Sequence, residues 1–174
     1  MQTTPVIQQY LEIKASHQDS LLFFRMGDFY ELFFSDAEIA SAALNIILTK
    51  RGQHKGKDIP MCGVPFHSAE GYIKTLLDKN MKVAICEQLE TPKEAKKRGY
   101  KEIVKRDVVR IITPGTKLEE SFLVQKENNI LMALFFFDNT WASCWIDIST
   151  GLFKSTITNE SQLLSLIDQI SPKE

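Results

Sequence analysis

The residues with the most chemical content lie near the N-terminus, in the segment Arg25-Met26-Gly27-Asp28-Phe29-Tyr30-Glu31. In extended backbone, side chains alternate between faces. Phe29, Glu31 and Phe33 then share one face, and Tyr30, Leu32 and Phe34 share the other. Both faces carry aromatics, so one of them can be more exposed than a core requires. The plain alternative is that all of these rings are packing residues, the usual fate of aromatics.

Cations form two groups that could contact phosphates. Lys93, Lys96, Lys97, Arg98, Lys101, Lys105, Arg106 and Arg110 face only Glu94, Glu102 and Asp107 in their stretch. Lys50, Arg51, Lys55 and Lys57 are offset only by Asp58. Charge runs of this kind are also simply solvated faces. A net charge of −1 over 174 residues does not by itself favour nucleic acid.

Other chemistries find little support. There is no GxxxxGK[ST] phosphate loop, so ATP binding of the P-loop kind is not expected. No HExxH or GxSxG occurs. His17, His54 and His67 have no metal-ligand spacing, and no metal site or catalytic residue is assigned. Asp138 and Asp147 could form a nuclease-like acidic pair, but Asp138-Asn139 also reads as a turn at a strand end. Cys62, Cys86 and Cys144 lack a CxxC pair, which argues against a disulfide framework or zinc site and for reduced, buried thiols.

The elements that must position these residues follow from pattern. Thr4-Pro5 opens an amphipathic helix reaching about Ser16. Ser20 to Met26 is a strand, Gly27-Asp28 a turn, and Phe29 to Phe34 a second strand. Ser35-Asp36-Ala37-Glu38 has the form of a capping box, with a helix to Ala43 or Leu44. Ile46 to Thr49 reads as a short strand and Lys50 to Asp58 as a polar loop. Ile59 to Pro65 is apolar but broken by two prolines and a glycine. Ser68 can cap a helix ending near Asn80, Lys82 to Glu87 is a strand, Thr91-Pro92 opens a basic helix, and Asp107 to Thr113 is a strand.

From Lys117 the chain is polar and acidic and reads as a linker. Ile130 to Phe137, Trp141 to Ile148 and Leu152 to Ile157 then suit a β-meander, the first as a buried strand, with a last helix from Gln162 to Ile170 capped by Asn159 or Ser161. The expected organisation is one domain over 1–116, a linker over 117–128, and a small unit over 129–174 that reads as truncated. The N-terminus is too polar for a signal peptide and no segment is long and apolar enough to cross a bilayer, so no membrane association is expected.

Phe23-Phe24-Arg25-Met26-Gly27-Asp28-Phe29-Tyr30-Glu31-Leu32-Phe33 resembles the mismatch-recognition motif of the MutS family of DNA mismatch repair proteins. The resemblance continues through Leu48-Thr49-Lys50-Arg51-Gly52, Ile59 to His67, Val83 to Gln88 and Val109 to Thr116, in family order, over nearly all of residues 4 to 121. The tail after Asn128 resembles the start of the family's connector domain more loosely. The resemblance implies an α/β fold, a mixed sheet with surrounding helices, followed by the opening of a ribonuclease-H-like connector. It implies that Phe29-Tyr30-Glu31 is the family's Phe-x-Glu motif, which enters the minor groove at a mispair. Arg51 and Arg106 match family positions near the DNA backbone, with Met26 and Lys50 as further candidate contacts.

The partners implied are mismatched double-stranded DNA, a second copy of the protein joined through C-terminal domains, and a downstream repair protein of the MutL type. ATP and Mg2+ are implied for the full-length protein, a DNA-dependent ATPase, and no cofactor for this piece. A bacterial cytoplasmic, nucleoid-associated location is implied as well. The chain matches at the Phe and Glu positions and departs in length, because the lever, clamp and ATPase domains are missing. Three other readings remain: a small nuclease or resolvase-like domain, which needs an acidic Mg2+ cluster; a protein-interaction module; and, more weakly, a family paralogue without repair function, since such paralogues generally lack this recognition domain.

Overall fold

The computed structural model describes residues 4–99, 101–118, 122–123 and 127–174. The chain divides into two compact units, Met1–Ile112 and Thr113–Glu174. Much of the stretch expected to be a linker, residues 119–121 and 124–126, lies outside the described residues.

The first unit is built on a six-stranded mixed sheet in the order β3-β4-β2-β1-β5-β6. Its strands are β1 (Ser20–Met26), β2 (Phe29–Phe33), β3 (Thr49–His54), β4 (Lys57–Pro65), β5 (Lys82–Gln88) and β6 (Arg106–Ile112). The β1–β5 pair is parallel and the other four pairings are antiparallel. The fold is therefore the expected α/β type, a mixed sheet with helices around it. Residues Ser20 to Phe24 are buried in succession, so β1 at the centre is covered on both faces.

Helix α1 (Pro5–Ala15) starts where expected. Thr4 Oγ1 accepts from the Ile7 amide and proline occupies the first turn. The helix brings Ile7 and Tyr10 onto Leu22, Phe24, Phe33, Ala84 and Cys86. The Tyr10 ring meets Phe24 and Phe33 edge-on at 5.5 and 5.0 Å. Helix α2 (Phe34–Leu44) follows β2 directly.

Here the structure corrects the sequence reading. Phe34 is the first helical residue at φ 54°, not the last of the strand, and Ser35 to Glu38 forms no capping box. Asp36 is drawn inward instead. It accepts hydrogen bonds from Tyr10 Oη at 3.1 Å and from the Leu22 amide at 3.0 Å, and it pairs with Lys14 at 2.9 Å. A buried carboxylate needs such partners, and that need overrides the local capping signal.

Ile46 to Leu48 is not a strand. The strand begins at Thr49, and the segment expected to be a polar loop is a β-hairpin, β3–β4, turning at Lys55-Gly56. Ile47 is 85% exposed. The prolines of β4 did not break it: Pro60 pairs with Lys50, and Pro65 is its final residue. Helix α3 (Ala69–Leu77) ends earlier than expected, and Asn80 follows it at φ 59°. Helix α4 (Pro92–Arg98) has the anticipated capping box of Thr91 and Glu94.

The second unit is an antiparallel meander of β7 (Ile130–Phe137), β8 (Thr140–Asp147) and β9 (Leu152–Thr158), then α5 (Glu160–Ile170), capped by Asn159. Strand β7 is not the buried strand its composition suggests. Ile130 is buried, but Leu134 to Phe137 are all exposed, Phe137 at 70%. Among the described residues of this unit α5 is the one α-helix, and it packs near β8. Asp138-Asn139 is indeed a turn, while Asp147 is a buried structural acceptor for the Asn129 and Ser149 amides. The two aspartates are therefore at opposite ends of β8, since Asp147 pairs with Ile130 and the Asp138 turn joins the far ends of β7 and β8.

Candidate nucleic-acid interface

The β1–β2 hairpin presents the central candidates. Gly27, at φ 61°, and Asp28 form its turn, a conformation that favours glycine. Met26 pairs with Phe29 and Phe24 with Glu31 across the ladder. Phe29 is 46% exposed, whereas Tyr30, Leu32 and Phe33, further along the same strand, are buried. Met26 is half-buried and packs against the core cluster below the hairpin.

Phe29 and Glu31 do share a face. Their side chains flank Gly63 of β4, which pairs with Glu31. A Cβ at Gly63 would lie 3.7 Å from Glu31 Cγ, 3.9 Å from the Phe29 ring and 3.3 Å from the Tyr30 carbonyl oxygen. The missing side chain leaves that face to the aromatic ring and the carboxylate.

Two arginines address Glu31 differently. Arg51 Nη1 donates to both carboxylate oxygens of Glu31. Arg106 acts on Glu31 through its charge and is otherwise committed to its own surroundings. Its Nε donates to the Arg25 carbonyl at 2.7 Å, and its Nη1 donates to Val104 O at 3.0 Å and Gln9 Oε1 at 3.1 Å. Its guanidinium carbon stands 5.0 Å from the Phe24 ring centroid. Burial raises the Glu31 pKa, against the opposing pull of the Arg51 and Arg106 charges. Lys50, next to Arg51, is largely solvent-exposed and pairs with Asp58 at 2.7 Å.

The structure therefore brings Met26, Phe29, Glu31, Arg51 and Arg106 into one neighbourhood. Lys50 sits on the same strand as Arg51, with its ammonium directed to Asp58. The rest of the basic stretch is partly internally paired: Arg98 holds Glu90 and Glu102.

Sequence reasoning missed the support for the hairpin. On the face opposite Phe29, the Arg25 guanidinium lies over the Phe66 ring, its carbon 3.4 Å from the ring centroid, and 5.5 Å from the Tyr30 centroid. Tyr30 Oη donates to Glu87, and the Phe66 amide donates to the Asp28 carbonyl at 2.8 Å. The signal was present in the alternation, which put Tyr30 opposite Phe29. Its partner Phe66 is 36 positions further along and could not be paired with it by spacing. Among the described residues, no group of three or more His, Cys, Asp or Glu side chains is placed to hold a metal ion. No helix among the described residues is long and apolar enough to cross a membrane.

Comparison with known proteins fits this geometry. The family model described as MutS domain I matches residues 4–121. A protein of Wolbachia pipientis wMel described as "DNA mismatch repair protein MutS" is 56% identical over 171 residues, covering 98% of this chain and 20% of that relative's length. A protein of Rhizobium meliloti (strain 1021) with the same description is 56% identical over 175 residues, covering 98% of this chain and 19% of its own length. The chain thus spans about a fifth of the length of these curated relatives. With a family model covering well over half of its residues and relatives this similar along almost all of them, the chain belongs to the MutS family.

Proposed function

We propose that this chain is the mismatch-reading part of a DNA mismatch repair protein, with Phe29 as a minor-groove wedge and Glu31 contacting the base beside it. The observation that carries this reading is the placement of Phe29. A phenyl ring nearly half exposed at the end of a hairpin is backed by a sheet whose central strand is buried on both faces. The carboxylate of Glu31 projects on the same face. Support also comes from the family and from the relatives' description as mismatch repair proteins.

The physics of a wedge selects weak points in a duplex. Inserting an apolar ring between base steps costs a few kcal/mol of stacking and kinks the helix. A mispaired base has already lost part of its pairing and stacking, so the same insertion costs less there. Phe29 reads deformability in this way, so one ring accepts many mispairs. Glu31 adds a base contact. Ionised, it accepts a base N–H; protonated, it donates to a ring nitrogen. Its burial already favours the protonated form, and phosphates nearby push in the same direction. On an intact duplex the carboxylate is repelled without return, which discourages binding there. Arg51, Arg106, Lys50 and Met26 complete the contact surface, the cations toward the backbone, which positions the protein without reading sequence.

The functions of the longer polypeptide are part of the same reading: ATP and Mg2+ use, self-association into a dimer, hand-over to a MutL-type partner, and work in the bacterial cytoplasm on the nucleoid. This chain has no P-loop of its own for nucleotide, so that chemistry is assigned to the remaining four-fifths represented in its relatives. Residues 129–174, beyond the stretch matched by the domain I model, are assigned to the start of the connector.

The test is binding of the full-length protein, wild type and Phe29→Ala, to matched and G·T-containing duplexes at one salt concentration. Loss of preference for the mispair in the variant is expected. A variant that keeps its preference makes Phe29 a packing residue and ends the wedge reading.

A further inference from the structure

We infer that Arg51 is a gate on Glu31: in the DNA-free protein it holds the carboxylate, and Glu31 becomes available to a base only when Arg51 transfers to a backbone phosphate. This rests on the proposed reading of Glu31 as a base contact and adds to it a specificity-determining role for Arg51.

The first observation is occupancy. One guanidinium nitrogen, Nη1 of Arg51, bonds both oxygens of Glu31. Both oxygens that a base N–H would bond are thus already shared with a cation. Arg51 is also the outer member of the pair, its side chain 47% exposed against 13% for Glu31.

The second is the open surroundings of the anchor. Arg51 lies on β3, the edge strand of the sheet, whose first five residues are all exposed. The β3–β4 register shifts between Lys50 and Gln53, and Gly52 within that bulge has φ 71° with nothing within 4 Å of an added Cβ. Swinging the Arg51 side chain therefore disturbs no packed core. Arg106 is the contrast: three hydrogen bonds and the Phe24 ring fix it, so it stays to balance Glu31 when Arg51 leaves.

The third is the balance of the exchange. Carboxylate and phosphate are both good partners for a guanidinium, so moving Arg51 from one to the other is close to neutral. At a mispair Glu31 gains a base in return. On a matched duplex it gains nothing and is left as a bare carboxylate among phosphates, so Arg51 stays where it is. Opening is thus conditional on the mispair.

The experiment is a double-mutant cycle on the full-length protein with a matched duplex, following the dissociation constant and its salt dependence. Glu31→Gln releases Arg51, so it should tighten matched binding by roughly two- to fivefold, the value of a half-exposed pair. It should also steepen the log K against log salt slope by about 0.9, one phosphate contact. In the Arg51→Ala background the same Glu31→Gln change should leave the slope unaltered. An equal steepening in both backgrounds, or none in either, overturns the gate. Arg51→Lys is the second arm: it keeps the charge but not the planar fork, and should move matched affinity toward that of the Gln variant. Urea midpoints for every variant confirm that each is folded. The wedge reading fails separately: Phe29→Ala tests it, and a missing Arg51–Glu31 coupling leaves that result untouched.

Discussion

The guanidinium carbon of Arg25 lies 3.4 Å from the centroid of the Phe66 ring. Arg25 thereby ties the start of the β1–β2 turn to the end of β4. Its Nε also donates to the Gly27 carbonyl within the turn, and its Nη1 stands 4.0 Å from Glu87, which accepts from Tyr30. These contacts brace the hairpin from the face that Phe29 does not use.

Arg25→Ala should therefore destabilise the protein by about 1–2 kcal/mol, combining a partly desolvated cation–π contact with a charged hydrogen bond. Arg25→Lys should recover only part of this, because an ammonium cannot lie flat on the ring. Urea unfolding gives the answer through the midpoint at constant slope. A shift under about 0.5 kcal/mol for the alanine variant would reduce the stack to a surface contact of the ordinary kind.

Glu31 should leave a mark on stability against pH. Its pKa is raised by burial, which outweighs the pull of Arg51 and Arg106. Between the ordinary glutamate value, about 4.3, and the raised one, the folded state keeps a proton that the unfolded chain has released. Folding stability then falls as pH rises through that window. Glu31→Gln does not titrate, so its stability relative to wild type should climb across the same window and level off above it. Urea titrations from about pH 4 to 7 check the sign. A relative stability that falls with pH would mean that the arginine pair dominates burial.

Much of this arrangement was legible in the sequence because it is set locally. Alternation put Phe29 with Glu31, Gly27-Asp28 marked the turn, and Thr4-Pro5 and Thr91 through Glu94 marked helix starts that are formed as read. What escaped depends on partners far along the chain. Ser35 to Glu38 has the pattern of a capping box until Tyr10 and Lys14 are brought against Asp36 within it. Arg51 and Arg106 look equivalent as cations, yet one pairs with Glu31 on an exposed edge and the other is held by Gln9 and the Arg25 carbonyl. Leu134 to Phe137 have the composition of a buried strand, but burial depends on a covering layer, which composition does not report.

The polar stretch from Lys50 to Asp58 has the composition of a loop, and its hairpin turn carries a residue poorly suited to it. Lys55 and Gly56 have φ 50° and 78°, the signature of a type I′ turn with both central residues left-handed. Glycine accepts this freely, whereas lysine does not, and a left-handed conformation costs an L-residue roughly 1–2 kcal/mol. Asparagine tolerates it, and Asn-Gly is the preferred pair for this turn. Lys55→Asn should therefore stabilise the protein by about 0.5–1 kcal/mol, seen as a higher urea midpoint at unchanged slope. Lys55→Val, which places a β-branched side chain at positive φ, should destabilise it by about 1 kcal/mol or more. If asparagine and valine gave the same midpoint, Lys55 would not be held in the left-handed region in solution, and the hairpin would turn some other way.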